Sequence, residues 1–149
     1  MNIQTLLIDA VALIIGIVIH ESAHALAAYV LGDKTARSRG RVSLNPLAHI
    51  DPFGTVLLPL LMLAAGGPVF AFAKPVPVYL NNLKHPKRDE LLVALAGPLS
   101  NVLLALAGAL IGYVLLPLLA GQAAMSLLYY LFSFFMTFIV VNLSLAFFN

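Results

Sequence analysis

The residues of this sequence whose types and spacing could perform chemistry form one run, His20-Glu21-Ser22-Ala23-His24. Side chains four positions apart lie on the same face of an α-helix, so the two imidazoles can bind one metal ion. Glu21 lies just beside that face, where its carboxylate can take a proton from a metal-bound water. The pattern predicts Zn²⁺ as the cofactor, His20 and His24 as its ligands, and Glu21 as the general base that activates water to attack a peptide carbonyl.

The helix that would present this motif is otherwise strongly apolar. Hydrophobic residues make up 62% of the 149 residues and charged residues only 9%, against about 25% in an average globular protein. The mean hydropathy of +1.02 agrees with this bias. We therefore expect an integral membrane protein with one domain, residues 1–149. Ionisable groups inside a membrane helix are costly and usually functional, which strengthens the catalytic interpretation of the motif.

Charge and cysteine content exclude several other classes of protein. The sequence contains no cysteine, which excludes disulfides and thiolate metal ligands. A net charge of +2 on so apolar a chain gives no reason to expect a nucleic-acid partner.

The fold class predicted from the hydrophobic pattern is an all-α membrane protein. Apolar stretches cover residues 3–31, 53–72, 91–119 and 125–148. The first, third and fourth are long enough to cross a hydrocarbon core, which needs about 20 helical residues. The second is broken by prolines and glycines, and the loops on both sides of it are basic. Because basic loops favour the cytoplasmic side, we expect a re-entrant segment there rather than a fourth span, although a span stays an alternative.

This pattern predicts an N-terminus outside the cell, a first helix running inward, and a site nearer the cytoplasmic side of the cell membrane. The third helix would run outward and the fourth back in, joined by an outer turn at residues 120–122. Residues 42–44 and 76–79 are short and rich in β-branched residues, so edge strands and plain loop are both compatible with them.

Further polar residues have two interpretations each. Asn101, in the third stretch, is either a packing bridge between helices or a polar group of the active site. Asp9 is expected to bridge helices or lie at the interface rather than bind metal. His49 is expected to make a local hydrogen bond in its loop, with participation in the site as the alternative. Asp51 before Pro52 is typical of a helix N-cap followed by a proline at the first helical position.

Two features are expected to have no catalytic role. Gly108 and Gly112 form a G-x-x-x-G pair, which indicates close helix packing. His85 is expected to be a solvated loop residue.

Several runs of the sequence together resemble the site-2 protease family of intramembrane zinc metalloproteases, and most closely its compact prokaryotic members. The runs are HESAHALAAYVLGD, GRVSLNPLAHIDPFGT, AKPVPV, KRDELLVALAGPLSN and NLSLAFFN. The resemblance implies a zinc endopeptidase that cleaves the transmembrane segment of a membrane-protein substrate within the lipid bilayer. It gives His20 and His24 as ligands, Glu21 as base, and Asn149 as a residue that holds the substrate or the oxyanion.

The same resemblance implies a third zinc ligand, an aspartate about eight residues beyond Asn149, where the sequence ends. The match runs unbroken to that point, so we expect a sequence that stops short of the ligand rather than an inactive form. Two alternatives stay open, a catalytically inactive homologue that binds membrane proteins and a metal transporter. Substrate, regulation and oligomeric state are not indicated by the sequence.

Overall fold

Helices make up most of the residues that the structure, a computed structural model, describes: 3–66, 73–121 and 126–148. The α-helices in these ranges are α1 (Ile3–Val30), α2 (Thr35–Ser38), α3 (Leu58–Ala64), α4 (Pro86–Leu115) and α5 (Leu127–Phe147). Short 3₁₀ turns occupy Pro46–Ala48, Leu80–Asn82 and Leu116–Leu119. These ranges contain no strand, so the all-α class is confirmed, and the possible strands at 42–44 and 76–79 are connecting segments.

Within the described ranges, three helices are long and apolar enough to cross a membrane: α1, α4 with its 3₁₀ extension to Leu119, and α5. Their outward side chains are large and apolar, as with Leu110 and Tyr113, which are 67% and 76% exposed. Exposed patches of this size would be a liability in water but suit contact with lipid. The predicted three transmembrane helices are therefore confirmed.

The second apolar stretch begins with a π-helical turn, Pro52–Leu57, which leads into α3. Asp51 is its N-cap, as predicted, because its carboxylate accepts hydrogen bonds from the amides of Phe53 and Gly54. The seven residues of α3 cover about 10 Å at 1.5 Å per residue, too little to cross a bilayer. Residues 67–72 lie outside the described residues, so the re-entrant path stays a prediction. The same holds for Gln122 in the expected outer turn.

Small residues set the helix packing in one of the chain's two compact units, Met1–His20 with Leu95–Asn149. A Cβ added at Gly112 would lie 2.6 Å from Met136 Cε, and one at Gly108 3.2 Å from Phe138 Cδ1. The predicted packing role of this glycine pair is thus confirmed, with α5 as the neighbour. Gly16 of α1 makes a similar approach, since an added Cβ would lie 2.9 Å from Leu145 Cδ1.

The other unit, Glu21–Ala94, is held together by the buried carboxylate of Asp33. Asp33 Oδ1 accepts hydrogen bonds from the amide and hydroxyl of Thr35 and from Asn82, and Oδ2 accepts one from the Tyr79 amide at 2.7 Å. Burial by itself would raise the pKa of Asp33, but these hydrogen bonds outweigh it and lower the pKa to about 2. One carboxylate therefore joins the end of α1 to the segment that precedes α4.

We expect Asp33→Asn to lower the free energy of unfolding by about 1–3 kcal/mol, because the carboxamide leaves at least one buried donor without an acceptor. The folded-state pKa lies below the ordinary 3.8, so the carboxylate's contribution is complete above that pH and is lost as the pH falls towards about 2. Reversible unfolding in detergent micelles, followed by circular dichroism, measures both effects. Glu90→Gln, at an exposed acid of the same unit, is the control; equal stability of the two variants would contradict the role of Asp33.

Candidate active site

The H-E-x-x-H motif lies within α1, and the boundary between the two compact units falls between His20 and Glu21. His20 is buried, with 3% of its surface exposed. Its Nδ1 lies 3.1 Å from Oδ1 of Asn101, which belongs to the same unit. An amide oxygen can only accept, so His20 Nδ1 carries the proton and donates it. In a neutral imidazole this leaves the lone pair on Nε2.

His24 is held in the same manner by a different acceptor. Its Nδ1 donates a hydrogen bond to the backbone carbonyl oxygen of Val93 at 2.7 Å. A carbonyl cannot donate, so His24 also has its lone pair on Nε2. Histidines that bind metals usually donate their second ring nitrogen to a carbonyl or carboxylate, which fixes the tautomer and orients the ring. Both histidines of the motif therefore have the tautomer and support of metal ligands.

The donor chemistry fits zinc, which binds imidazole nitrogen well and is commonly held by histidines four apart on a helix. Within the described ranges, no group of three or more His, Cys, Asp and Glu side chains lies close enough together to hold one ion. A catalytic zinc usually has three protein ligands. The described residues thus supply two suitable ligands, and the third is not among them.

Glu21 and His24 line a pocket of about 270 Å³ in the second unit. Its other lining residues are Pro75, Val76, Val78 and Val93. The apolar side chains form one wall, while the carboxylate and imidazole supply polar atoms from α1. This arrangement places the proposed base at the edge of a cavity that can admit part of a ligand.

Two cationic or ionisable side chains from the loop after α2 act electrostatically on Glu21, those of Arg41 and His49. Arg41 is 3% exposed and donates hydrogen bonds to the carbonyl oxygens of Ala48 and Lys74. Burial lowers the pKa of Arg41, and the negative charge of Glu21 opposes that shift. The guanidinium is therefore a buried positive group beside the H-E-x-x-H motif.

His49 makes the local hydrogen bond that was predicted for it, from Nε2 to the carbonyl oxygen of Ser43 at 2.8 Å. The same nitrogen lies 3.3 Å from the hydroxyl of Ser22, inside the motif. Ser22 in turn donates to the Ser43 carbonyl. His49 therefore packs against α1, while its contacts are those of a loop residue.

The remaining candidates have separate positions. Asn101 bridges α4 to α1 through His20, as one of its two interpretations predicted. Its role as a polar group of the active site stays a prediction. Asp9 Oδ1 lies 3.4 Å from the Thr137 hydroxyl of α5, which agrees with a bridge between helices. His85 is exposed, as expected. Asn149 lies outside the described residues, so its role at the substrate or oxyanion stays a prediction.

Two contacts were missed by the sequence reasoning. The acceptor for His24 is a backbone carbonyl, which has no sequence signature. Arg41 is one of four basic residues between positions 34 and 41. Only its burial separates it from the exposed Lys34, Arg37 and Arg39.

Comparison with known proteins identifies the family of the chain. Residues 8–120 match Peptidase family M50. This match covers more than half of the chain, so the chain belongs to peptidase family M50, and the predicted resemblance to site-2 proteases is confirmed.

The curated relatives are named as zinc metalloproteases. The chain is 42% identical over 142 residues to "Putative zinc metalloprotease YwhC" of Bacillus subtilis. The aligned region covers 93% of this chain and 60% of YwhC. It is 38% identical over 87 residues to "Putative zinc metalloprotease Rip2" of Mycolicibacterium smegmatis, covering 58% of this chain and 32% of that protein. The chain thus spans less than two thirds of the length of these relatives. No solved structure matches it with significance.

We expect Asn101→Ala to weaken zinc binding about 10- to 100-fold, the usual cost of removing a group that orients a ligand histidine. Competition with a chromophoric zinc chelator in detergent measures the affinity. Asn81→Ala, at an exposed asparagine, is the control. Equal affinities of the Asn101 and Asn81 variants would show that the Asn101–His20 contact serves packing alone.

Proposed function

We propose that the chain is the catalytic core of a zinc-dependent endopeptidase that cleaves peptide bonds in or near the transmembrane segments of membrane proteins. The observation that carries the proposal is the H-E-x-x-H motif on a candidate membrane span, with both imidazoles donating Nδ1–H to carbonyl acceptors. Membership of peptidase family M50 and the names of the relatives support peptidase chemistry.

His20 and His24 would hold the zinc ion through Nε2. When bound, zinc polarises the scissile carbonyl and lowers the pKa of a coordinated water to about 7. Glu21 accepts the proton from the attacking water and delivers it to the nitrogen of the departing amine. Asn101 and the Val93 carbonyl keep the imidazole rings in the required tautomer during this proton transfer.

The location of the motif supports a substrate that is itself embedded in the membrane. His24 lies six residues before the end of α1 at Val30, about 9 Å along the helix at 1.5 Å per residue. The pocket wall beside it is made by Val76, Val78 and Val93. An apolar wall of this kind suits the side chains of a hydrophobic segment and offers little to a polar peptide.

We expect Glu21→Gln to lower the cleavage rate by about 10²- to 10⁴-fold, the usual contribution of a general base, with zinc content unchanged. His24→Ala should lose both activity and bound zinc. The assay uses proteoliposomes containing a pool of synthetic single-span peptides, with fragments identified by mass spectrometry and zinc measured by atomic emission.

Two results would contradict the proposal. Zinc binding without cleavage by the unaltered full-length protein would favour the inactive homologue that binds membrane proteins. Zinc flux into vesicles that survives Glu21→Gln, with no cleavage of any peptide, would favour the transporter.

A further inference from the structure

The pocket beside Glu21 has one wall that is not part of any helix. Residues 73–79 have no regular secondary structure, and Pro75, Val76 and Val78 among them line the pocket. We call residues 74–79 the wall segment. Its two prolines, Pro75 and Pro77, fix their own backbone angles and restrict the residue before each to extended conformations. The segment is therefore locally stiff, and its position depends on what holds its two ends.

Each end of the wall segment is bound to a different part of the same compact unit. At its C-terminal end, the Tyr79 amide donates a hydrogen bond to Asp33 at 2.7 Å. At its N-terminal end, the Lys74 amide donates to the His49 carbonyl at 3.0 Å, and Arg41 donates to the Lys74 carbonyl. A stiff segment fixed at both ends places Val76 and Val78 at defined positions beside Glu21.

Arg41 is an unexpected choice for a structural contact, because burying a charge without an ion pair is costly. Among the described residues it has no carboxylate partner within ion-pair distance, and its Nε has no hydrogen-bond partner. Its two terminal nitrogens, Nη1 and Nη2, donate hydrogen bonds to the carbonyl oxygens of Ala48 and Lys74. The planar guanidinium can join two backbone acceptors with fixed geometry, which a flexible ammonium group does less well.

We propose that Arg41 is a positioning residue that fixes the N-terminal end of the wall segment. Through this contact it sets the affinity of the pocket for the substrate. The role rests on the proposed endopeptidase function. Arg41 acts through the Lys74 carbonyl, and Glu21 and the histidines carry out the chemistry. Its loss therefore weakens substrate binding and leaves zinc binding intact.

The anchoring is tested without a substrate by amide hydrogen exchange of the full chain in detergent, resolved to single residues. Arg41→Ala should speed exchange at Lys74 at least about fivefold, because that amide opens when its anchor is lost. Exchange at Tyr79 and Thr35, which donate to Asp33, should be unchanged and reports that the unit remains folded. Arg41→Lys, which keeps the charge and one donor group, should give an intermediate exchange rate. Arg39→Ala, the control at an exposed arginine, should leave the exchange rate at Lys74 unchanged.

The consequence for substrate is tested by cleavage kinetics on the same four proteins. Arg41→Ala should raise KM about tenfold with kcat changed less than about threefold, and Arg41→Lys should restore part of the loss. Zinc content should stay that of the unaltered chain. Arg39→Ala should match the unaltered chain in all three measurements.

The outcomes separate this inference from the proposed function. Unchanged exchange at Lys74 in Arg41→Ala overturns the anchoring, whatever the activity. Faster exchange with unchanged KM overturns the role in substrate binding, as does a fall in kcat alone. Absence of cleavage by the unaltered full-length protein overturns the proposed function, while the exchange comparison still decides whether Arg41 anchors the wall segment.

Discussion

The structure depends on one constraint, which is that the polar side chains of the H-E-x-x-H motif must be kept in place within an apolar helix. Water is scarce there, so each imidazole needs a protein acceptor for its N–H group. His20 finds one in the Asn101 side chain and His24 in the Val93 backbone. Both acceptors lie on α4, one as a side-chain amide and the other as a backbone carbonyl.

The second level of support lies in the connecting segments. Asp33 gathers donors from Thr35, Tyr79 and Asn82, and Arg41 gathers the carbonyls of Ala48 and Lys74. Asp33 is an anion surrounded by hydrogen-bond donors, and Arg41 is a cation that donates to carbonyl acceptors. Together, Asp33 and Arg41 hold the segments that connect α1 to α4 in place. The described part of these segments forms a pocket wall without a β-sheet.

The parts that the sequence predicted are those governed by short-range rules. The spacing of His20 and His24, the N-cap at Asp51 and the close approach at Gly108 each follow from helix geometry alone. The second apolar stretch was harder, because its prolines and glycines indicated a break without fixing its path. Arg41 could not be distinguished in advance, since its burial results from tertiary packing. Asp33 had a usable local signal, a threonine two positions later whose amide and hydroxyl it accepts.

In the unit formed by Met1–His20 and Leu95–Asn149, the small residues Ala12 and Ala105 are buried, whereas the large residues Leu103 and Leu110 are exposed. This arrangement reverses the usual relation between position and tolerance to substitution. On the inner faces volume is the sensitive property, because an added methyl group at Gly16 meets Leu145. On the outer faces volume is free to vary and polarity is not, because lipid accepts any apolar shape but no unpaired charge. A map of tolerated substitutions would therefore show limits on side-chain size at the inner faces, where a soluble protein has its large core residues. At the outer faces, where a soluble protein has its variable surface, the map would show limits on polarity.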